Sequence, residues 1–177
     1  TPVICSGNPV AFTITGEPGT SVTYRVGSGS NQAVDLGTSG TASIVSPVLT
    51  ANTTIQLISA IYNNNPTCSA ALAGNLSITV NQAATVSAGS NAVVCSNGSI
   101  NLTGTMGGSA TSVTWSASTG SFSAANNLTT SYTPSINAGT IPVTLTTNDP
   151  DGAGPCAAAV STIQITVNQS ALAIPGP

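Results

Sequence analysis

Ile78-Thr79-Val80-Asn81-Gln82 recurs unchanged as Ile165-Thr166-Val167-Asn168-Gln169, 87 residues further along the chain. Apolar β-branched residues alternate with polar ones in both copies, the pattern of a half-buried β-strand. Other landmarks repeat in the same order. Val3-Ile4-Cys5-Ser6 corresponds to Val93-Val94-Cys95-Ser96, and Val22-Thr23-Tyr24 to Val113-Thr114-Trp115. Pro47 corresponds to Pro134, Ile55-Gln56-Leu57 to Val143-Thr144-Leu145, and Cys68 to Cys156. The offsets stay between 87 and 91 residues, so the chain is one unit duplicated, with small loop insertions and deletions.

The second unit reads as short strands over 99–103, 112–116, 131–135, 141–147 and 162–167. Turn-forming clusters separate them: Gly107-Gly108, Asn126-Asn127, Asn137-Ala138-Gly139 and Asp149-Pro150-Asp151-Gly152. No stretch carries a helical period, and Ala157-Ala158-Ala159 is too short to nucleate a helix. Short, regularly punctuated strands predict an all-β fold of two tandem immunoglobulin-like Greek-key β-sandwiches. The expected divisions are residues 1–82 for the first domain, 83–91 for a short linker, 92–169 for the second domain, and 170–177 for a C-terminal linker to a further repeat or subunit. Trp115, the sole Trp, falls where a third strand would run; Tyr24 takes that place in the first unit. Both are expected in the cores.

Each unit holds one early and one late cysteine. Of the three pairings that four cysteines permit, Cys5–Cys68 and Cys95–Cys156 give both units the same intradomain bridge. Closing loops of 63 and 61 residues would each stabilise by about 4 kcal/mol in the chain-entropy model.

The residue inventory narrows function. The chain has 177 residues, 40% of them apolar, and only 3% are charged, against roughly 25% in ordinary soluble domains. Arg25 is the only base, and there is no Lys or His. Nucleic acid and anionic membrane surfaces are therefore poor partners, no nucleic-acid partner is expected, and no apolar run is long enough to insert into a bilayer. Without His or Lys no general base is available to activate the many Ser and Thr hydroxyls. The acids are Glu17, Asp35, Asp149 and Asp151. The close pair Asp149 and Asp151 sits on one turn, which does not place two carboxylates across a cleft. No catalytic residue and no cofactor is expected, and the chain reads as a non-enzyme. Asn148-Asp149-Pro150-Asp151-Gly152 has spaced oxygen ligands before a Gly, which makes Asp149 and Asp151 the candidate metal ligands. A downstream bidentate Glu is missing, and Asn63-Asn64-Asn65-Pro66 holds the equivalent place in the first unit. A plain turn is the expected state. Asn-x-Ser/Thr sequons at Asn52, Asn75, Asn97, Asn101, Asn127 and Asn168 follow from how common these residues are here.

Val94-Cys95-Ser96-Asn97-Gly98-Ser99, Val113-Thr114-Trp115, Tyr132-Thr133-Pro134-Ser135, Cys156 and Ile165–Gln169 together resemble the Ig-like repeats of very large cell-surface adhesins of Bacteroidota, including gliding-motility adhesins. The first unit keeps the Cys-Ser-Gly start, the late Cys and the closing strand, but has Tyr for Trp and lacks the Tyr-Thr-Pro. The resemblance implies export to the cell surface, tandem arrays and a stalk or adhesive role; it implies no catalytic residues. Asn81 precedes Cys95 by 14 residues, and joining Pro177 to Thr1 would place Cys5 14 residues after Asn168. Copies are thus expected to join head to tail, at roughly 70–80 Å per chain for strands of about 3.3 Å per residue, with Pro175 and Pro177 stiffening the junction. The expected function is a non-catalytic structural repeat of an extracellular bacterial filament, stalk or adhesin. The alternative is an adhesive module that binds glycan or protein through its loop tips.

Overall fold

The computed structural model describes residues 1–171. The expected junction prolines Pro175 and Pro177, and all but the start of the expected 170–177 linker, lie outside them. The chain divides into two compact units, Thr1–Gln82 and Ala83–Pro177. Both are Ig-like β-sandwiches.

The first unit contains β1 (Val3–Cys5), β2 (Ala11–Thr15), β3 (Thr20–Val26), β4 (Gln32–Asp35), β5 (Thr41–Val45), β6 (Thr53–Tyr62), β7 (Asn65–Ala71) and β8 (Asn75–Asn81). One sheet runs β1-β8-β6-β3-β4, with β7 also on β6; β2 and β5 form the other. β1 pairs with β8 in parallel, and Cys5 lies opposite Asn81. β7 and β8 are two halves of one return path along β6, broken at residues 72–74, where Leu72 N–H donates to Ile58 O and Leu57 N–H to Gly74 O. The β6–β7 hairpin turns at residues 63–64. Alternation sends Phe12, Ile14, Val22, Tyr24, Ile55, Ile78 and Val80 into one apolar core.

The second unit contains β9 (Thr85–Ser87), β10 (Ala92–Cys95), β11 (Ile100–Thr103), β12 (Thr105–Gly107), β13 (Val113–Ala117), β14 (Ser121–Phe122), β15 (Thr129–Thr133), β16 (Gly139–Thr147) and β17 (Val160–Asn168). The sheet β10-β17-β16-β13 faces β11-β15-β14, and β9 pairs with β12. β10 runs parallel to β17 with Cys95 opposite Asn168, repeating the geometry of Cys5 and Asn81. The segment 83–91 is not a plain linker: its Thr85-Val86-Ser87 stretch pairs with Thr105–Gly107, and Ala88 is buried in the second core. Three alternating residues bounded by Ala and Gly leave too short a pattern to read as a strand.

Trp115 and Tyr24 are core residues in equivalent registers. Trp115 lies opposite Leu145 and Tyr24 opposite Leu57, the pair of leucines matched in the duplication. Both rings are buried. Each also satisfies its polar atom: the Trp115 indole N–H donates to Asn127 O at 2.9 Å, and the Tyr24 hydroxyl to Gln32 Oε1 at 2.7 Å. A buried ring bonded in this way has no face left for stacking on a sugar.

Candidate functional site: the cysteines at the two poles

Each sandwich has two poles, defined by the closing strand: a leading pole where it begins and a trailing pole where it ends. Parallel pairing places Cys5 beside the end of β8, and Cys95 beside the end of β17. Both early cysteines therefore sit at trailing poles, each followed by a tight turn. Asn8 N–H donates to Cys5 O at 3.2 Å, and Gly98 N–H to Cys95 O at 3.0 Å. Gly7 and Asn97 supply the positive φ angles, 89° and 65°, that these turns need.

The late cysteines sit at the opposite ends. Cys156 precedes the first residue of β17 and lies in the loop that enters it. Val160 to Asn168 alone spans roughly 26 Å at 3.3 Å per residue, so Cys156 is far from Cys95. Cys68 lies in β7 near the hairpin turn, next to Ser69, which faces Ile61. Thr53, at the other end of β6, faces Ile78, three residues before Asn81. Cys5 and Cys68 are thus separated by roughly 35 Å along the strands. A disulfide requires Cα atoms within about 7 Å.

Neither expected intradomain bridge is formed. Cys5 and Cys156 are each disulfide-bonded, whereas Cys68 and Cys95 are free and exposed. The duplication located the four cysteines correctly, but equal spacing in sequence does not bring an early and a late cysteine to one pole. The signal was available in part. A β-branched residue immediately before each early Cys fits a strand alongside the closing strand, and a full strand length separates each late Cys from that strand's end.

Around Cys68 the sandwich is open. Ile14, Leu57, Ala60, Ile61, Leu72 and Cys68 are among the residues lining an apolar groove of about 480 Å³ under the β6–β7 hairpin. Ile61 and Tyr62 on the hairpin are 37% and 44% exposed, large values for apolar side chains that could pack inward. Cys156, the duplicate of Cys68, is 1% exposed.

Three side-chain oxygens of the acidic loop 148–152 accept from backbone amides, while Asp151 Oδ1 is buried without a hydrogen-bond partner. Asn148 Oδ1 accepts from Thr111 N–H at 2.8 Å and Ser112 N–H at 2.9 Å. Asp149 Oδ1 accepts from Asp151 N–H at 3.1 Å, and Asp151 Oδ2 from Cys156 N–H at 3.2 Å. These bonds close a turn and hold the segment before Cys156 (a local role for Asp151 beyond that of a candidate ligand). Among the described residues no three His, Cys, Asp or Glu side chains converge. Asp151→Ala should cost about 1–2 kcal/mol through the unpaired Cys156 amide, whereas a chelator should leave the wild-type melting temperature within about 1 °C. A chelator-induced drop of many degrees, read by calorimetry, would show instead that Asp149 and Asp151 hold a metal.

No family model matches the sequence, and no curated protein matches it. Solved structures do match. A three-Ig fragment of titin aligns over 93% of this chain and 62% of its own length, with 14% identity and a TM-score of 0.51. The first two Ig domains of DIP-gamma align over 95% of this chain and 93% of theirs, with 11% identity and a TM-score of 0.51. At these identities the likeness concerns the fold: tandem Ig domains. No helix among the described residues is long and apolar enough to cross a membrane.

Proposed function

We propose that this chain is a non-catalytic structural repeat of an extracellular bacterial surface filament, stalk or adhesin, whose units join head to tail. The observation that supports this most is the placement of chemistry-bearing side chains. The cysteines occupy sandwich poles, and the acids of loop 148–152 close a turn of their own backbone. The strand faces between the poles expose uncharged polar residues such as Thr13, Thr114 and Gln164. A chain with 3% charged residues and one tryptic site, after Arg25, suits a protease-resistant spacer repeated many times. The resemblance to Bacteroidota surface adhesins supports the same reading, and tandem Ig domains are an architecture suited to it.

Electron microscopy of the native assembly tests the reading. The expected result is a fibre or stalk with an axial repeat of roughly 35–40 Å per unit, from strands of up to ten residues plus loops at both poles. Discrete monomers or compact dimers from the native source would refute it. A glycan array separates the adhesive alternative: saturable binding to one glycan class would move the function to the loop tips.

A further inference from the structure

We propose that the segment after the closing strand of one copy, Ser170–Pro175, enters the first unit of a second copy as an added strand along the open edge of β2. This inference rests on the head-to-tail reading above and names the contact that would join the copies.

The second unit shows the site filled. β9 lies antiparallel on β12, packs against β16 and β17, and sends Ala88 into the core. Ala88 N–H donates to Ser161 Oγ at 3.0 Å, and a Cβ on Gly104 would lie 3.0 Å from Ser87 O. Leu145 and Ile163, on the two strands that β9 packs against, are 0% and 3% exposed.

The first unit has the same site without the strand. Phe12-Thr13-Ile14-Thr15-Gly16-Glu17-Pro18-Gly19 matches Ile100-Asn101-Leu102-Thr103-Gly104-Thr105-Met106-Gly107 at an offset of 88. Leu57, Gly74 and Leu76 take the places of Leu145, Ser161 and Ile163; Leu57 N–H donates to Gly74 O, as Leu145 faces Ser161. Among the described residues, however, no strand of the first unit stands where β9 stands, and β2 pairs with β5 alone. A groove of about 230 Å³ lies there, lined by residues that include Ile14, Thr15, Leu57, Gly74 and Leu76. Ile14, Thr15 and Leu57 also line the larger groove near Cys68, so the two adjoin. Leu57 and Leu76 are only half-buried, whereas their duplicates are sealed. The backbone is open as well. Val10 O accepts from Ser46 N–H and Gly16 N–H donates to Gly40 O, both on the β5 side, so alternation turns the amides of Thr13 and Thr15 to the free edge. An apolar groove beside an unpaired edge is the geometry of strand addition.

The duplication names the occupant. The residues after the first closing strand, Ala83–Ala88, supply β9. Ser170–Pro175 hold the same place after Asn168-Gln169, and Gly176 then matches Gly89. Residues 172–177 lie outside the described part of the chain; the sequence Ser170-Ala171-Leu172-Ala173-Ile174-Pro175 has no charge, and a strand of it would carry Leu172 and Ile174 on one face. β9 turns Val86 and Ala88 inward at that spacing. Turning the two larger side chains inward takes a one-residue shift from the exact 87-residue repeat, which the following turn absorbs. Pro175 then ends the ladder.

The test adds a synthetic peptide, Ser170–Pro177, to the full chain carrying Leu172→Asp/Ile174→Asp. Amide hydrogen exchange at Thr13 and Thr15 should slow by about tenfold or more, and a peptide with the same two substitutions should have no effect. By light scattering the variant should stay monomeric at concentrations where the wild type forms multimers. Its melting should be unchanged, because both substitutions lie beyond β17. Thr15→Pro, which blocks the free edge, should also stay monomeric, and mixing it with the Asp variant should restore dimers and nothing longer. Should Thr15→Pro fail to fold, the peptide result decides alone. Unprotected Thr13 and Thr15 at millimolar peptide, protection confined to the second unit, or protection of the same amides in monomeric wild type would each overturn the proposal. So would a segment upstream of Thr1 crosslinked into the groove of the native protein. The peptide reads the groove and microscopy of the native material reads the array. Fibres without peptide binding sink this inference and leave the array reading standing; peptide binding without fibres sinks the array reading and keeps the groove as a strand site.

Discussion

Trp115→Ala should lower the unfolding free energy of the second unit by about 3–5 kcal/mol, the range for a buried aromatic truncated in a core. Trp115 is 2% exposed and packs among Val113, Leu145 and the other members of one apolar cluster. Its indole stacks on Phe122 with centroids 6.4 Å apart, and its N–H bond to Asn127 O anchors the turn before β15. Truncation removes the packing, leaves a cavity and strips Asn127 O of a buried donor. For a unit of this size the loss corresponds to a fall in melting temperature of more than about 10 °C. Scanning calorimetry should show that transition move, while the transition of the first unit, whose core is built from other residues, stays in place. Trp115→Phe keeps most of the ring and should lose about half as much. A shift below 1 kcal/mol for Trp115→Ala would mean that the ring is not packed as described.

Gly120→Val should be comparably severe, at about 3–5 kcal/mol, although it adds atoms instead of removing them. Gly120 has φ of +85°, in the left-handed region that costs a side chain roughly 1–2 kcal/mol and a β-branched one more. A Cβ there would fall 2.6 Å from Thr133 O and 2.7 Å from the Tyr132 hydroxyl oxygen. Neither can yield cheaply. Thr133 is held in the β14–β15 ladder opposite Ser121. Tyr132 is fully buried and donates to Thr119 O at 2.7 Å, and burial holds its phenol above the ordinary value, so it remains a donor. The added clash is an overpacking cost of about 1–3 kcal/mol. Denaturant titration of the second unit should register the sum, and Gly120→Ala should lose somewhat less. A Gly120→Val protein as stable as the wild type would show that this turn adopts another conformation.

Much of the architecture was legible before any coordinate. The alternation in Ile141–Thr147 and Thr162–Val167 marks β16 and β17, because a strand with one buried face writes its period into the chain. The duplication marks two units, because landmark order is a property of the chain itself. Trp115 and Tyr24 were assignable to the cores for the same reason, and the structure adds that they face matched leucines. β9 has no such signature, because its three residues carry too little pattern, and it exists only through its pairing with β12.

The cysteines divide the two kinds of knowledge. Their number, their duplication and the lack of metal-type spacing are set by sequence alone, as is the scarcity of charge. Which of them can bond was decided by tertiary structure. Cys5–Cys68 and Cys95–Cys156 look equivalent and sufficient along the chain. Parallel pairing of β1 with β8 and of β10 with β17 carries each early cysteine to the trailing pole, a strand length from its late counterpart. A disulfide is a contact of a few ångströms, and whether two residues some 60 positions apart meet that limit depends on strand direction and register, which no local pattern records.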